Sequence, residues 1–178
     1  MTVENTKIDA VKLLKFFNAK DQRGLFVKPF QQSDLKKNDI DFTIKESIYS
    51  ISHKHVFRGM HFHHPPYDHA KIVFCTQGSI VDIVLDLRKN EPTYREYVQY
   101  ILSDKNMNAI YIPKGFAHGF LCLENNSTTF YFIDGEYHAN ADDGILYNSF
   151  GHHFDLEDII ISERDLSFQT FNKCISPF

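Results

Sequence analysis

From Phe42 to Ile133 the chain is a series of short apolar or alternating runs, each closed by turn residues. That rhythm restricts it to β architectures. Lys71 to Cys75 and Ile80 to Leu87 flank Gln77-Gly78, which reads as a hairpin turn. Tyr94 to Leu102 alternates, with Tyr94, Glu96, Val98, Tyr100 and Leu102 on one side. Ala109 to Pro113, Gly119 to Leu123 and Thr128 to Ile133 follow, and Asn90/Pro92 and Asn125/Asn126 mark turns. Many short strands at this spacing predict an all-β sandwich or barrel. Outside this block the signals are thinner. Ile8 to Phe17 fits neither the helical nor the strand period. Asp21 to Gly24 reads as a turn and Leu25 to Phe30 as a short strand. Ser33 to Asp41 has room for one helical turn, and Leu156 to Ile160 for another.

A length of 178 residues suits one domain, residues 1–178, with no internal repeat or linker. Such a chain buries about 70% of its unfolded surface and needs no covalent staple. Hydrophobic residues at 43% and charged residues at 24% exclude a disordered or fibrous chain. The net charge of −4, mixed along the chain, argues against nucleic-acid or anionic-membrane binding. Cys75, Cys122 and Cys174 are far apart and form no CxxC pair, so neither a disulfide framework nor a cysteine zinc site is expected. No signal-peptide pattern opens the chain, and no apolar run approaches the ~18 residues of a membrane span. The expectation is a cytoplasmic protein with no membrane partner.

Two clusters carry chemistry: Arg58-Gly-Met-His61-Phe-His63-His64-Pro-Pro-Tyr-Asp-His-Ala-Lys71, and Pro113-Lys-Gly115-Phe-Ala-His118-Gly119. On a strand, His61 and His63 share one face while Phe62 takes the other. The first cluster resembles the first cupin motif and the second resembles the PxGxxH motif. Metal-binding cupins place a Glu where Lys71 stands. An ammonium has no lone pair to offer and repels a cation, which points away from a metal, although a three-His site of His61, His63 and His118 is the alternative. A neutral imidazole beside an ammonium suits a different task. The imidazole takes a proton next to a ketone and the ammonium steadies the enolate oxygen. Inversion then needs an acid on the opposite face, and Tyr131, in Phe130-Tyr131-Phe132, is the candidate, against a plain core role. His64 and His69 flank Pro65-Pro66 as loop residues. His152 and His153 read as surface or turn residues. Asp82 and Asp86 form a solvated or salt-bridged strand face or orient a neighbour, and Arg23-Gly24 alone is a turn.

The runs RGMHFHHPP, AKIVFCTQGSIVDIVLDLRKNEPTY, LSDKNMNAIYIPKGFAHGFLCL, DDGILYNS and ISERD resemble the dTDP-4-dehydrorhamnose 3,5-epimerase family from about Asp21 to Asp165. The resemblance implies a cupin-type jelly-roll barrel with few helices, no metal or other cofactor, and a nucleotide-linked 4-keto-6-deoxy sugar as substrate. It also implies a homodimer that exchanges N-terminal strands, about residues 8–30, with residues 155–178 packing on the barrel. By the family pattern His61 is the base, Asp165 its partner, Lys71 the enolate stabiliser and Tyr131 the acid. Tyr137 stacks on the nucleobase. Arg23 binds phosphate, and Arg58, His118, Asp142 and Arg164 match further substrate positions.

Five pocket positions depart from the pattern. Lys28 stands for a Glu, Glu46 and Ile48 for a QxN pair, His63 for a Gln and Asp134 for a Thr. With base, acid and stabiliser intact, the expected function is inversion of C3, C5 or both, with the nucleotide or the sugar changed. The charge exchange at Lys28 and Glu46 argues for that change. Two alternatives stand beside it: a three-His metal-dependent dioxygenase or isomerase, and a non-catalytic sugar-nucleotide binder.

Overall fold

The computed structural model describes residues 1–178. Six strands form one sheet: β1 (Thr2–Asn5), β2 (Lys12–Lys15), β5 (Glu46–Ser52), β7 (Lys71–Gln77), β10 (Asn108–Ile112) and β12 (Ser127–Ile133). Their order is β1-β2-β10-β7-β12-β5. Facing it lies a five-stranded sheet of β6 (Phe57–His63), β8 (Ser79–Asp86), β9 (Tyr97–Ser103), β11 (Phe116–Cys122) and β13 (Asp142–Gly144), ordered β13-β6-β11-β8-β9. β3 (Phe17–Asp21) and β4 (Gly24–Lys28) pair only with each other, around a turn at Gln22-Arg23. Two short helices complete the chain, α1 (Gln32–Lys36) and α2 (Glu163–Leu166).

Three apolar layers hold the two sheets. Val73, Ile80, Val84, Leu102, Ile110 and Phe120 fill the space between them. Leu35, Ile40 and Phe42, from the segment around α1, cover the back of the six-stranded sheet together with Leu14 and Phe74. Ile145, Phe150 and Phe171 cover the back of the other sheet, with Phe178 and Cys174 packed alongside. Both faces of the central strands are therefore buried, which removes the alternation that marks a half-exposed strand. This explains why Ile8 to Phe17 had no readable period. In β2, Leu13 points between the sheets while Leu14 points behind them.

The structure corrects several readings. Gln77-Gly78 is not a hairpin turn, because β7 pairs with β10 and β12 while β8 pairs with β9 and β11. The turn carries the chain from one sheet to the other. Gly78 has φ +77°, and a Cβ there would meet the Ser127 side chain at 2.7 Å, so the corner requires glycine. Tyr94 to Glu96 belong to a turn, and the strand begins at Tyr97. Leu156 to Ile160 is irregular, with only Ile160 bridged, to Val56. The helical turn comes later, at α2, where the Ser162 hydroxyl accepts from the Asp165 N–H as an N-cap. His152 is buried rather than a surface residue, paired with Gln99 at 2.8 Å and packed on Phe154. Asp82 and Asp86 are fully buried, so of the readings offered the solvated face fails, while Asp86 pairs with Arg88 at 2.6 Å and Asp82 holds His118.

Candidate active site

At one end of the barrel the apolar filling stops and a cavity of about 620 Å³ opens between the sheets. His61 reaches it from β6. Its Nε2 donates to Asp165 Oδ1 at 2.9 Å, which leaves Nδ1 with the lone pair and makes it the basic nitrogen. The capped turn of α2 aims Asp165 at this ring, and the Gly59 N–H donates to its other oxygen at 3.1 Å. Burial pushes the Asp165 carboxyl up, but the His61 hydrogen bond, the His61 charge and the Gly59 N–H outweigh it, so the group stays below its usual range. β6 and β11 approach closely here, since a Cβ on Gly59 would overlap Gly119. His118, opposite His61 across this strand pair, turns its own ring to Asp82, with Nε2 donating at 2.7 Å.

Lys71 on β7 and Tyr131 on β12 come from the facing sheet and line the same cavity. Lys71 forms no ion pair. Burial pulls its pKa down from 10.5 to about 8, partly offset by Asp142 and Asp82. The Tyr131 phenol is pushed well above its usual value, first by burial and then by the Asp82 charge, so it holds its proton. Its ring stands edge-on to His118 at 5.8 Å. The cavity thus has a free imidazole lone pair on one wall and an ammonium and a protonated phenol on the other.

The rim is polar. Arg58 donates to the Ser52 hydroxyl at 3.0 Å, and Arg164 pairs with Asp142 at 2.8 Å. Tyr137 is tied from two sides: its N–H donates to Glu46 at 2.9 Å and its hydroxyl to Asp142 at 3.3 Å. Glu46 therefore has a partner within its own chain. His61, His63, Lys71, His118, Tyr131, Asp165, Glu46, Arg58, Tyr137, Asp142 and Arg164 all line this one cavity, as does Ile48. Arg23 and Lys28 do not. They sit on the β3–β4 hairpin, where Arg23 pairs with Asp21 and Lys28 bonds Gln31. Asp134 also stands off the main cavity and accepts from the Ala70 N–H at 2.6 Å, just before Lys71. His61, His63 and His118 do not converge as metal ligands, since two of the rings turn to carboxylates instead.

A family model described as dTDP-4-dehydrorhamnose 3,5-epimerase matches residues 5–173. The chain belongs to this epimerase family. The enzyme of that name from Methanothermobacter thermautotrophicus is 34% identical over 169 residues, 92% of this chain and 91% of the relative. The Escherichia coli enzyme is 35% identical over 83% of this chain and 80% of its own. Among solved structures, the dTDP-6-deoxy-D-glucose-3,5-epimerase of Legionella pneumophila, in complex with dTDP-4-keto-L-rhamnose, superposes with a TM-score of 0.92. It is 30% identical and covers 97% of this chain and 93% of that one. The Sulfolobus tokodaii enzyme gives 0.90 at 35% identity over 97% and 96%. The fold is accordingly the expected cupin-type jelly roll, and the chain is an epimerase of the isomerase class.

Two residues outside the expected site set line or support this epimerase site. Asp82 orients His118, the neighbour-orienting option that its place in the otherwise apolar Ile80 to Val84 run had left open, because a buried carboxylate has to find a partner. His69, read as a loop residue, lines the cavity and packs on the His63 ring at 4.6 Å. Only chain folding brings it there.

Proposed function

We propose that the chain inverts the carbons beside the C4 ketone, C3, C5 or both, of a nucleotide-diphosphate-linked 4-keto-6-deoxy sugar. The observation that carries this reading is a base and an acid on facing walls of one cavity, with an ammonium beside the acid. His61 Nδ1 takes the proton α to the ketone, and the electron pair moves onto the C4 oxygen. Asp165 holds the ring in the required tautomer and balances the imidazolium. Lys71 faces the developing enolate oxygen with a positive charge. His118 gives that oxygen a second N–H only as an imidazolium, a charge that Asp82 offsets. Tyr131 then delivers its proton to the opposite face, and the ketone re-forms with inverted configuration. The ketone already acidifies its neighbours, so these steps use protein groups alone.

Arg58 and Arg164 suit the diphosphate, and Tyr137 offers a ring to the base. Arg23 and Lys28 enter through a homodimer. The β3–β4 hairpin forms a sheet by itself and exposes Phe17 (52%), Leu25 (49%) and Phe26 (60%), an apolar surface suited to a second copy. We place the exchange in the hairpin, residues 17–28, within the expected residues 8–30, a choice supported by β2 pairing with β10 of its own chain. No helix is long and apolar enough to cross a membrane, and we place the reaction in the cytoplasm. The test is incubation with dTDP- and GDP-linked 4-dehydro-6-deoxyglucose in D2O. Deuterium should enter at C3, C5 or both, and the count of labelled positions gives the number of inverted centres. Absence of label from both sugars refutes the reading.

A further inference from the structure

His63 ends β6, two residues beyond the base on the same face. It is 8% exposed, and both ring nitrogens are buried without a hydrogen-bond partner. An unpaired buried polar atom is costly, and the ring has two. The surroundings are built around it. His69 packs on one side at 4.6 Å, and its Nδ1 donates to the Tyr67 carbonyl at 3.2 Å. Gly135 leaves the room for His69, since a Cβ there would meet the His69 Cβ at 2.7 Å. On the other side Tyr137 stands edge-on at 5.6 Å and is 59% exposed, a cover that an entering ligand can displace.

We propose that His63 is a sugar-recognition subsite: once Tyr137 swings off it, the neutral imidazole donates from one nitrogen and accepts at the other to a substrate hydroxyl near the reacting carbon. This rests on the epimerase reading above and names the group that selects the sugar. Three observations favour a hydroxyl. A hydroxyl both donates and accepts, as a neutral imidazole does. Burial and the Lys71 charge keep His63 below its ordinary pKa, and the same two causes take His69 to about 3, so neither ring adds a charge next to Lys71. Two strand residues at ~3.3 Å rise set His63 about 6.6 Å along β6 from the base on the same face, so both rings can face one bound sugar.

The test is a cycle between side chain and substrate. The probes are dTDP-4-dehydro-6-deoxyglucose, or its GDP counterpart if only that is turned over, and the 2-deoxy and 3-deoxy forms of the same sugar. Deuterium uptake is followed for wild type, His63→Phe and His63→Gln. One of the two deletions should lower the wild-type kcat/KM about 10- to 100-fold. The same deletion should cost His63→Phe nothing further, since the bond is already gone. His63→Gln should retain part of the discrimination, because an amide also donates and accepts. It also carries the cycle should the phenylalanine variant fail to fold. Deletions that cost wild type and variant equally overturn the subsite while leaving the epimerase intact. Absence of uptake by wild type from the parent sugars refutes the epimerase reading, and the subsite with it.

Discussion

The molecule contains two His–Asp pairs of almost equal geometry, His61–Asp165 at 2.9 Å and His118–Asp82 at 2.7 Å. They differ in access. The side chains of the first pair are 30% and 6% exposed, those of the second 5% and 0%. Their carboxylates also differ in origin. Asp165 arrives from a capped helical turn late in the chain, whereas Asp82 lies on β8, one strand from His118. Identical chemistry thus splits into two tasks. A ring open to the cavity can exchange a proton with substrate. A ring sealed in the sheet holds its partner and the strand pair in place, and in the proposed mechanism lends at most one N–H to the oxyanion.

Substitution at the two histidines separates these tasks most sharply. His61→Asn should lower kcat about 10³- to 10⁴-fold and stop deuterium uptake, and His118→Asn about 10²-fold with uptake retained. Equal loss of uptake in both variants would erase the distinction. The carboxylates should show the reverse order in stability. Asp82→Ala leaves a buried ring without its acceptor and should cost about 3 kcal/mol in urea denaturation. Asp165→Ala, beside a ring that water can reach, should cost about 1 kcal/mol while cutting kcat about 10²-fold. Matching denaturation midpoints would show that access does not decide the role.

Tyr131→Phe should sharpen the picture from the facing wall. Inversion should fall about 10²-fold while exchange at the reacting carbon continues, because the base still works and only the opposite-face acid is gone. NMR of the recovered sugar distinguishes exchange from inversion. The smallest expected effect lies in pH. Lys71 loses its charge near pH 8, so kcat/KM should decline above that value, well short of the ordinary lysine range. The sign for stability is opposite. The unfolded chain holds this proton up to about 10.5 and the folded chain only to about 8, so the penalty is full below pH 8 and fades as pH rises to 10.5. The stability difference between wild type and Lys71→Met should therefore shift in favour of wild type across that window.

How much was legible followed the range of each interaction. The strands of the central block could be read because turn residues and short apolar runs are local signals, and His61 with Lys71, and His118 with its glycine, sit in compact motifs. The resemblance to the family supplied Asp165, Tyr137, Asp142 and Arg164, which no spacing rule connects to the base. Strand pairing was not local. Gln77-Gly78 looked like a hairpin because a tight turn between two strands reads alike whether the strands pair or part. His152 looked exposed because burial depends on Tyr97 and Phe154 packing around it. Arg23 and Lys28, read as pocket residues, lie on a hairpin outside their own chain's cavity.

Alternating patterns, turn chemistry and two short motifs by themselves settled the β class of this chain and placed an imidazole and an ammonium at the heart of it, since these depend on neighbours a few residues away. Which face of each strand looks into the cavity, which carboxylate meets which histidine, and that His63 is left with two unanswered nitrogens were decided only when two sheets closed on each other. Those contacts join residues as far apart as Gly59 and Asp165, and burial, unlike sequence spacing, is a property of the whole fold.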